Sequence, residues 1–228
     1  IIGTRTMSVE DWKKTYIFSW AVQCFHCLSL TQFLAVFFSK QCGLPYGDFY
    51  ENLINYCREQ PLTLVGNQFS EVSAIIDKAT KGGSVEMVIP KFGNITWPLE
   101  EAIFLNLIAE KDKLYQEIRD FLQILIENKG YNMSAGLLDD LITYQSAMII
   151  NPYTGPVFDF KLNHNLHQYF LAVYVDEVSE VITQAPSRIT VTAEASYNGD
   201  LERYAREVIW YGRKGGQFRH SNVVVQDI

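Results

Sequence analysis

From Thr15 to Ser39 the chain carries no Asp, Glu, Lys or Arg. A run of that length either crosses a bilayer or lies inside a protein core. Ser19, Gln23, His26, Ser29, Thr31 and Gln32 interrupt it, and apolar residues surround it on most faces. That pattern reads as the buried helix of a soluble domain, not as a membrane span. Its start is marked by "SVEDW": Ser8 is an N-cap type, and the acids that follow suit the positive end of the helix dipole. We expect one helix from Ser8 through Ser39, ended by Gly43 and Pro45.

The next elements follow from punctuation. "YGDFYENLINYCREQP" gives a helix with Phe49, Leu53, Ile54 and Cys57 on one face, closed by Pro61. "NQFSEVSAIIDKATKGG" gives another, ended by Gly82 and Gly83. "SVEMVIP" is a short strand or an extended link. Leu99, Ile103, Leu107, Leu114, Ile118, Phe121 and Leu125 recur at helical steps, so a long helix is expected from near Pro98 to Gly130. "SAGLLDDLITYQSAMI" is a shorter one.

Beyond Pro152 the character changes. "VFDFKL" and "SRITVTAEAS" alternate as strands do, "HNLHQYFLAVY" fits helix or strand, "GDLERYAREVIWYGRKGG" is a last helix, and "NVVVQ" a closing strand. The fold class is therefore mainly α: a helical body over 1–150 with a smaller α+β C-terminal segment over 151–228 packed on it, or both as one domain.

A net charge of −7 argues against a nucleic-acid partner, because phosphate binding wants a basic surface. All four cysteines, Cys24, Cys27, Cys42 and Cys57, lie in the first quarter of the chain, which fits a reducing cytoplasm better than a disulfide framework. "CFHC" sets Cys24 and Cys27 two residues apart, the spacing of a zinc or redox pair. The surrounding "AVQCFHCLSL" is apolar, where a cysteine behaves as a small hydrophobe. His26 between them is the best pocket candidate among the histidines, against the plainer reading of a hydrogen-bonded core histidine. His164 and His167 read as surface or cap residues, and the pairs Glu100–Glu101 and Asp139–Asp140 as solvated partners of helix dipoles.

"EVIWYGRKGGQFRH" ends the last helix with glycine caps and with Arg213 and Lys214 at the negative end of its dipole. Trp210 and Tyr211 beside Arg213 form a planar group that can clamp a carboxylate or phosphate. No nucleophile elbow, Walker loop or dinucleotide fingerprint is present.

"TMSVEDWKKTYIFSWAVQCFHCLSLTQF", "YGDFYENLI", "LLDDLITYQ" and "EVIWYGRKGG", in that order from Thr6 to Gly216, resemble the C-terminal region of cobalamin-binding-domain radical S-adenosylmethionine proteins. In that family such a tail follows the catalytic barrel. The family's Cys-x3-Cys-x2-Cys cluster motif is absent, so no cluster ligand is assigned here. The resemblance implies that the iron–sulfur cluster, S-adenosylmethionine and cobalamin belong to a missing N-terminal part. A start at Ile1, not Met, fits a segment of a longer protein. The segment would be inert alone, with its partners the missing catalytic domains and an unknown small-molecule or peptide substrate. It would cover the barrel or contact that substrate through His26, Trp210, Tyr211, Arg213 or Lys214. Two other readings stay open: a stand-alone helical module binding a ligand or peptide, and a zinc or thiol-redox protein using Cys24 and Cys27.

Overall fold

The computed structural model describes residues 5–176, 181–211 and 222–227. Helix α1 (Val9–Ala21) starts from a capping box: the Ser8 hydroxyl accepts from the Asp11 N–H, and the Asp11 carboxylate accepts from the Ser8 N–H. The expected continuous helix to Ser39 does not form. After α1 comes a π-helical turn, Val22–Cys27. Leu28 N–H then donates to the Gln23 carbonyl at 2.9 Å, Ser29 takes φ 69°, and Thr31 N–H reaches back to the Phe25 carbonyl at 2.8 Å. Helix α2 (Gln32–Cys42) leaves at 96° to Val9–Cys27.

The cause of the bend is remote in sequence. Gln145, fully buried, donates its amide to the Ser29 carbonyl at 2.8 Å and accepts from Phe33 N–H at 2.9 Å. The Tyr115 hydroxyl donates to the Leu30 carbonyl at 3.1 Å. Buried backbone groups must be paired, and these side chains pair the ones a continuous helix would have paired itself.

Helix α3 (Tyr46–Glu59) and helix α4 (Leu64–Ala79) form an antiparallel pair. The buried Glu117 carboxylate accepts from Leu64 N–H at 2.7 Å and Val65 N–H at 2.9 Å, capping the positive end of α4. Strands β1 (Glu86–Val88) and β2 (Thr96–Pro98) pair antiparallel and lead into α5 (Leu99–Ile108). Where one helix from Pro98 to Gly130 is expected, α5 stops and α6 (Lys111–Lys129) begins anew. The break adjoins Lys111, whose Nζ is buried and donates to the Ile149 carbonyl at 2.8 Å. Gly130 caps α6 at φ 66°, as its position predicts. Helix α7 (Ala135–Ala147) is capped by Ser134.

The C-terminal part holds β3 (Val157–His164), α8 (Leu166–Leu171) with a π-helical turn Ala172–Asp176, β4 (Gln184–Thr192), α9 (Leu201–Tyr204) running into a π-helical segment Ala205–Tyr211, and β5 (Val223–Asp227). The three strands form an antiparallel sheet in the order β3-β4-β5, with Phe160, Ile189 and Val225 in register. The chain is thus mainly α with a small α+β part.

Asp140 is the joint between the sheet and α7. It is buried, not solvated as expected, and accepts from Asn163 N–H at 2.7 Å and His164 N–H at 2.9 Å, with the His164 ring Nδ1 at 2.7 Å. His164 and His167 are not surface residues either. The first sits on Asp140, and the second is buried with its Nδ1 3.1 Å from the Tyr144 hydroxyl. Both changes have one reason: β3 folds back on α7, which the local pattern does not announce. Among the described residues, no single helix is long and apolar enough to cross a membrane, although Val9–Cys27 and Gln32–Cys42 together meet that length and composition as a bent pair.

Gln145→Ala removes both side-chain bonds that hold the bend. Each buried partner lost costs roughly 1–3 kcal/mol, so a total of about 3 kcal/mol is expected in urea unfolding with an unchanged m-value. A loss below about 1 kcal/mol would mean that the bend is held by other contacts.

Candidate functional site

His26 lies near the end of the π-helical turn that leads into the bend. Its Nδ1 is 2.9 Å from the Tyr50 hydroxyl, and its ring meets Tyr46 and Tyr50 edge-on, each with centroids 5.7 Å apart. Both tyrosines come from one face of α3, four residues apart. Tyr50 is buried, and burial pushes its phenol far above the ordinary range. Burial pushes His26 the other way, below the ordinary imidazole value, so it is neutral at physiological pH. Among the described residues, no hydrogen bond engages its other ring nitrogen.

The aromatic group continues across the bend. Phe33 at the start of α2 packs edge-on to Tyr144 and Tyr174. Tyr174, from the π-helical turn after α8, is 40% exposed, as is Tyr46, so the two give this group its open side. Its physical character is an apolar wall with phenol and imidazole edges, suited to a flat or amphipathic partner.

The other sequence candidates fall elsewhere. Trp210 packs edge-on against the fully buried Trp97 of β2, with centroids 5.4 Å apart, while Tyr211 is largely exposed. Arg213 and Lys214 lie outside the described residues. Trp210 therefore has a packing partner of its own, and no ring contact joins it to the His26 group among the described residues.

The cysteines are free thiols, with Cys24 and Cys57 near one another in the core. Cys24 and Cys57 are buried; burial pushes Cys24 well above the usual thiol range and Cys57 up to about 12. Cys27 and Cys42 are partly exposed. Among the described residues no three His, Cys, Asp or Glu side chains converge as metal ligands. The residues present do not fit an iron–sulfur cluster, which needs thiolates gathered at one place.

A second site was not foreseen. A cleft of about 470 Å³ opens between α6, α7, the chain leading into β3 and the chain after β4, lined by Lys111, Tyr115, Arg119, Ser146, Ile150 and Phe158 among others. Lys111, Tyr115 and Arg119 are four residues apart and so share one face of α6. Arg119 is ion-paired with Asp139. Lys111 is 8% exposed and bonded to the Ile149 carbonyl. Burial pulls its amine down to about 7, with Asp112 opposing weakly. The signal was present in the sequence: in the apolar series Leu107, Leu114, Ile118, position 111 is a core slot that holds a lysine.

No protein-family model matches the chain. Over 170 residues, 68% of this chain and 24% of the relative, it is 22% identical to the cobalamin-dependent radical SAM methyltransferase TokK of Streptomyces tokunonensis. Over 138 residues, 55% of this chain and 20% of the relative, it is 21% identical to the 2-(S-pantetheinyl)-carbapenam-3-carboxylate methyltransferase of Streptantibioticus cattleyicolor. The chain is distantly related to such methyltransferases and spans about a quarter or less of their length.

The Lys111 environment generates a pH signature. In the unfolded chain the amine keeps its proton to near the ordinary lysine value of 10.5, and in the fold burial lets it go near 7. Between those values the unfolded state binds more protons, so this group makes stability rise with pH, by up to about 1.4 kcal/mol per unit. Lys111→Met removes the effect. Its stability gain over the parent is expected to be largest near pH 6 and to shrink steadily toward pH 9. Urea unfolding of both proteins across that range measures it; a difference independent of pH would show that the amine is not desolvated as described.

Proposed function

We propose that this chain is the accessory segment of an enzyme resembling cobalamin-dependent radical SAM methyltransferases, catalytically inert alone. Its role is to cover the barrel or to contact the substrate. The observation that carries the reading is the distant relation to those enzymes over 170 residues, which make up only 24% of the relative. In this reading the cluster, S-adenosylmethionine and corrinoid are held by residues outside this chain, and the setting is a reducing cytoplasm. The partners are the enzyme's own catalytic domains and a small-molecule or peptide substrate that remains unidentified.

The surface presented to those domains is the open side of the aromatic group, His26, Tyr46 and Tyr174. It offers half-exposed rings beside a partly buried hydrogen-bonded base, the composition that contact surfaces favour. Trp210 and Tyr211 are a further exposed aromatic pair on the same segment.

Reading the coding DNA upstream of Ile1 tests the reading directly. An open frame encoding Cys-x3-Cys-x2-Cys supports it, and an unrelated start or a stop codon sinks it. In the longer protein, backbone hydrogen exchange over 26–31 and 172–176 is expected to be at least tenfold slower than in this chain alone. Equal exchange in the two would remove the His26 face from the contact.

A further inference from the structure

We propose that the cleft between α6, α7, the chain leading into β3 and the chain after β4 is a binding site for a small organic carboxylate, with Lys111 as the group that receives it. The inference stands on the cleft alone and does not depend on the accessory-segment reading.

Lys111 has more to donate than the structure accepts. The Lys111 ammonium has three N–H donors, and the structure gives it one acceptor, the Ile149 carbonyl at 2.8 Å. Among the described residues no carboxylate lies within ion-pair distance of it. A buried cation without a counter-ion is costly, and such groups are kept paired or become neutral. The Ile149 carbonyl alone would be served as well by a smaller neutral donor.

Beside Lys111 there is room for an anion. Lys111 and Ile149 both line the 470 Å³ cleft, which is of the size that takes small ligands. An anion entering there supplies the missing charge and the missing acceptor together. Ser146 and Thr143 add hydroxyls, while Ile142, Ile150 and Phe158 give apolar wall for a short hydrocarbon body.

The charges around the cleft select the anion. Arg119 stands two turns along α6 from Lys111, roughly 12 Å by helix rise, and is already neutralised by Asp139. Among the described residues Lys111 is then the cleft's one cation outside an ion pair, and Asp112 lines the same cleft beyond ion-pair distance of it; a monoanion therefore fits better than a phosphate dianion, whose second charge would meet that carboxylate with nothing to offset it. The titratable groups facing Lys111 from its own helix are Asp112, Tyr115 and Arg119, and the lining residues from α7, the loop after it, β3 and the chain after β4 include none that titrate.

The amine is near half-protonated at neutral pH, so a carboxylate that binds it draws in a proton from solution when the pH is above that point. Isothermal titration calorimetry with sodium hexanoate, run at about pH 8 in two buffers of different ionisation enthalpy, reads that proton directly. Saturable one-to-one binding is expected, with uptake of most of a proton at about pH 8 and almost none at about pH 6, where the amine is already charged. Hexanamide, of the same shape without the charge, is expected to bind at least tenfold more weakly, and Lys111→Met to weaken hexanoate at least tenfold. No saturation at tens of millimolar hexanoate overturns the proposal. So does binding of hexanamide as tight as that of hexanoate, or binding without proton uptake at the higher pH. Should Lys111→Met fail to fold, proton uptake by the unaltered chain still decides the matter.

Discussion

The bend between α1 and α2 exists because Gln145 and Tyr115 satisfy the backbone that the bend exposes. Everything around the His26 group follows from it. Were Thr15–Ser39 a straight helix, Phe33 would stand about two turns beyond His26 along the same axis, and α2 could not lay it against Tyr144 and Tyr174. The same two side chains come from α6 and α7, so the fixing of the bend and the packing of those helices are one event. A break in a helix buried this deeply is stable only when donors and acceptors from other elements close it.

The polar groups inside the core share a style. Glu117 closes the start of α4, Asp140 gathers the end of β3, and Gln145 closes the bend. In each case one side chain holds two backbone groups of a distant element. Such two-point ties set orientation as well as distance. They let a core rich in interchangeable aromatic rings settle on a single arrangement. Lys111 is the exception, with a single carbonyl for a group that has more to donate.

What the sequence made legible was local. The capping box at Ser8, the left-handed glycines at 43 and 130, the helical runs and the alternating strands all rest on residues within a turn of one another. The two breaks were illegible for the opposite reason. Leu28–Thr31 looks helical by composition, and its stop signal is Gln145, more than a hundred residues away. Asp140 was misread because a helix-start acid and a buried anchor look alike until β3 arrives beside it. His26 was legible as a pocket residue through its apolar flanks, but its partners Tyr46 and Tyr50 were not, since α3 docks through a chain reversal. Lys111 could have been found by asking which polar residue sits in an apolar series. Arg213 and Lys214 lie beyond the described residues, so the basic end of the last helix rests on sequence alone.

The edge-on contact of Trp97 with Trp210 has an optical consequence. Two indoles whose centres are 5.4 Å apart couple their transition dipoles, while one is sealed in the core and the other is about half open to solvent. The last helical segment therefore carries its own chromophore pair. Seating it on β2 leaves an exciton couplet in the circular dichroism, and lifting it away erases that couplet without any label being added.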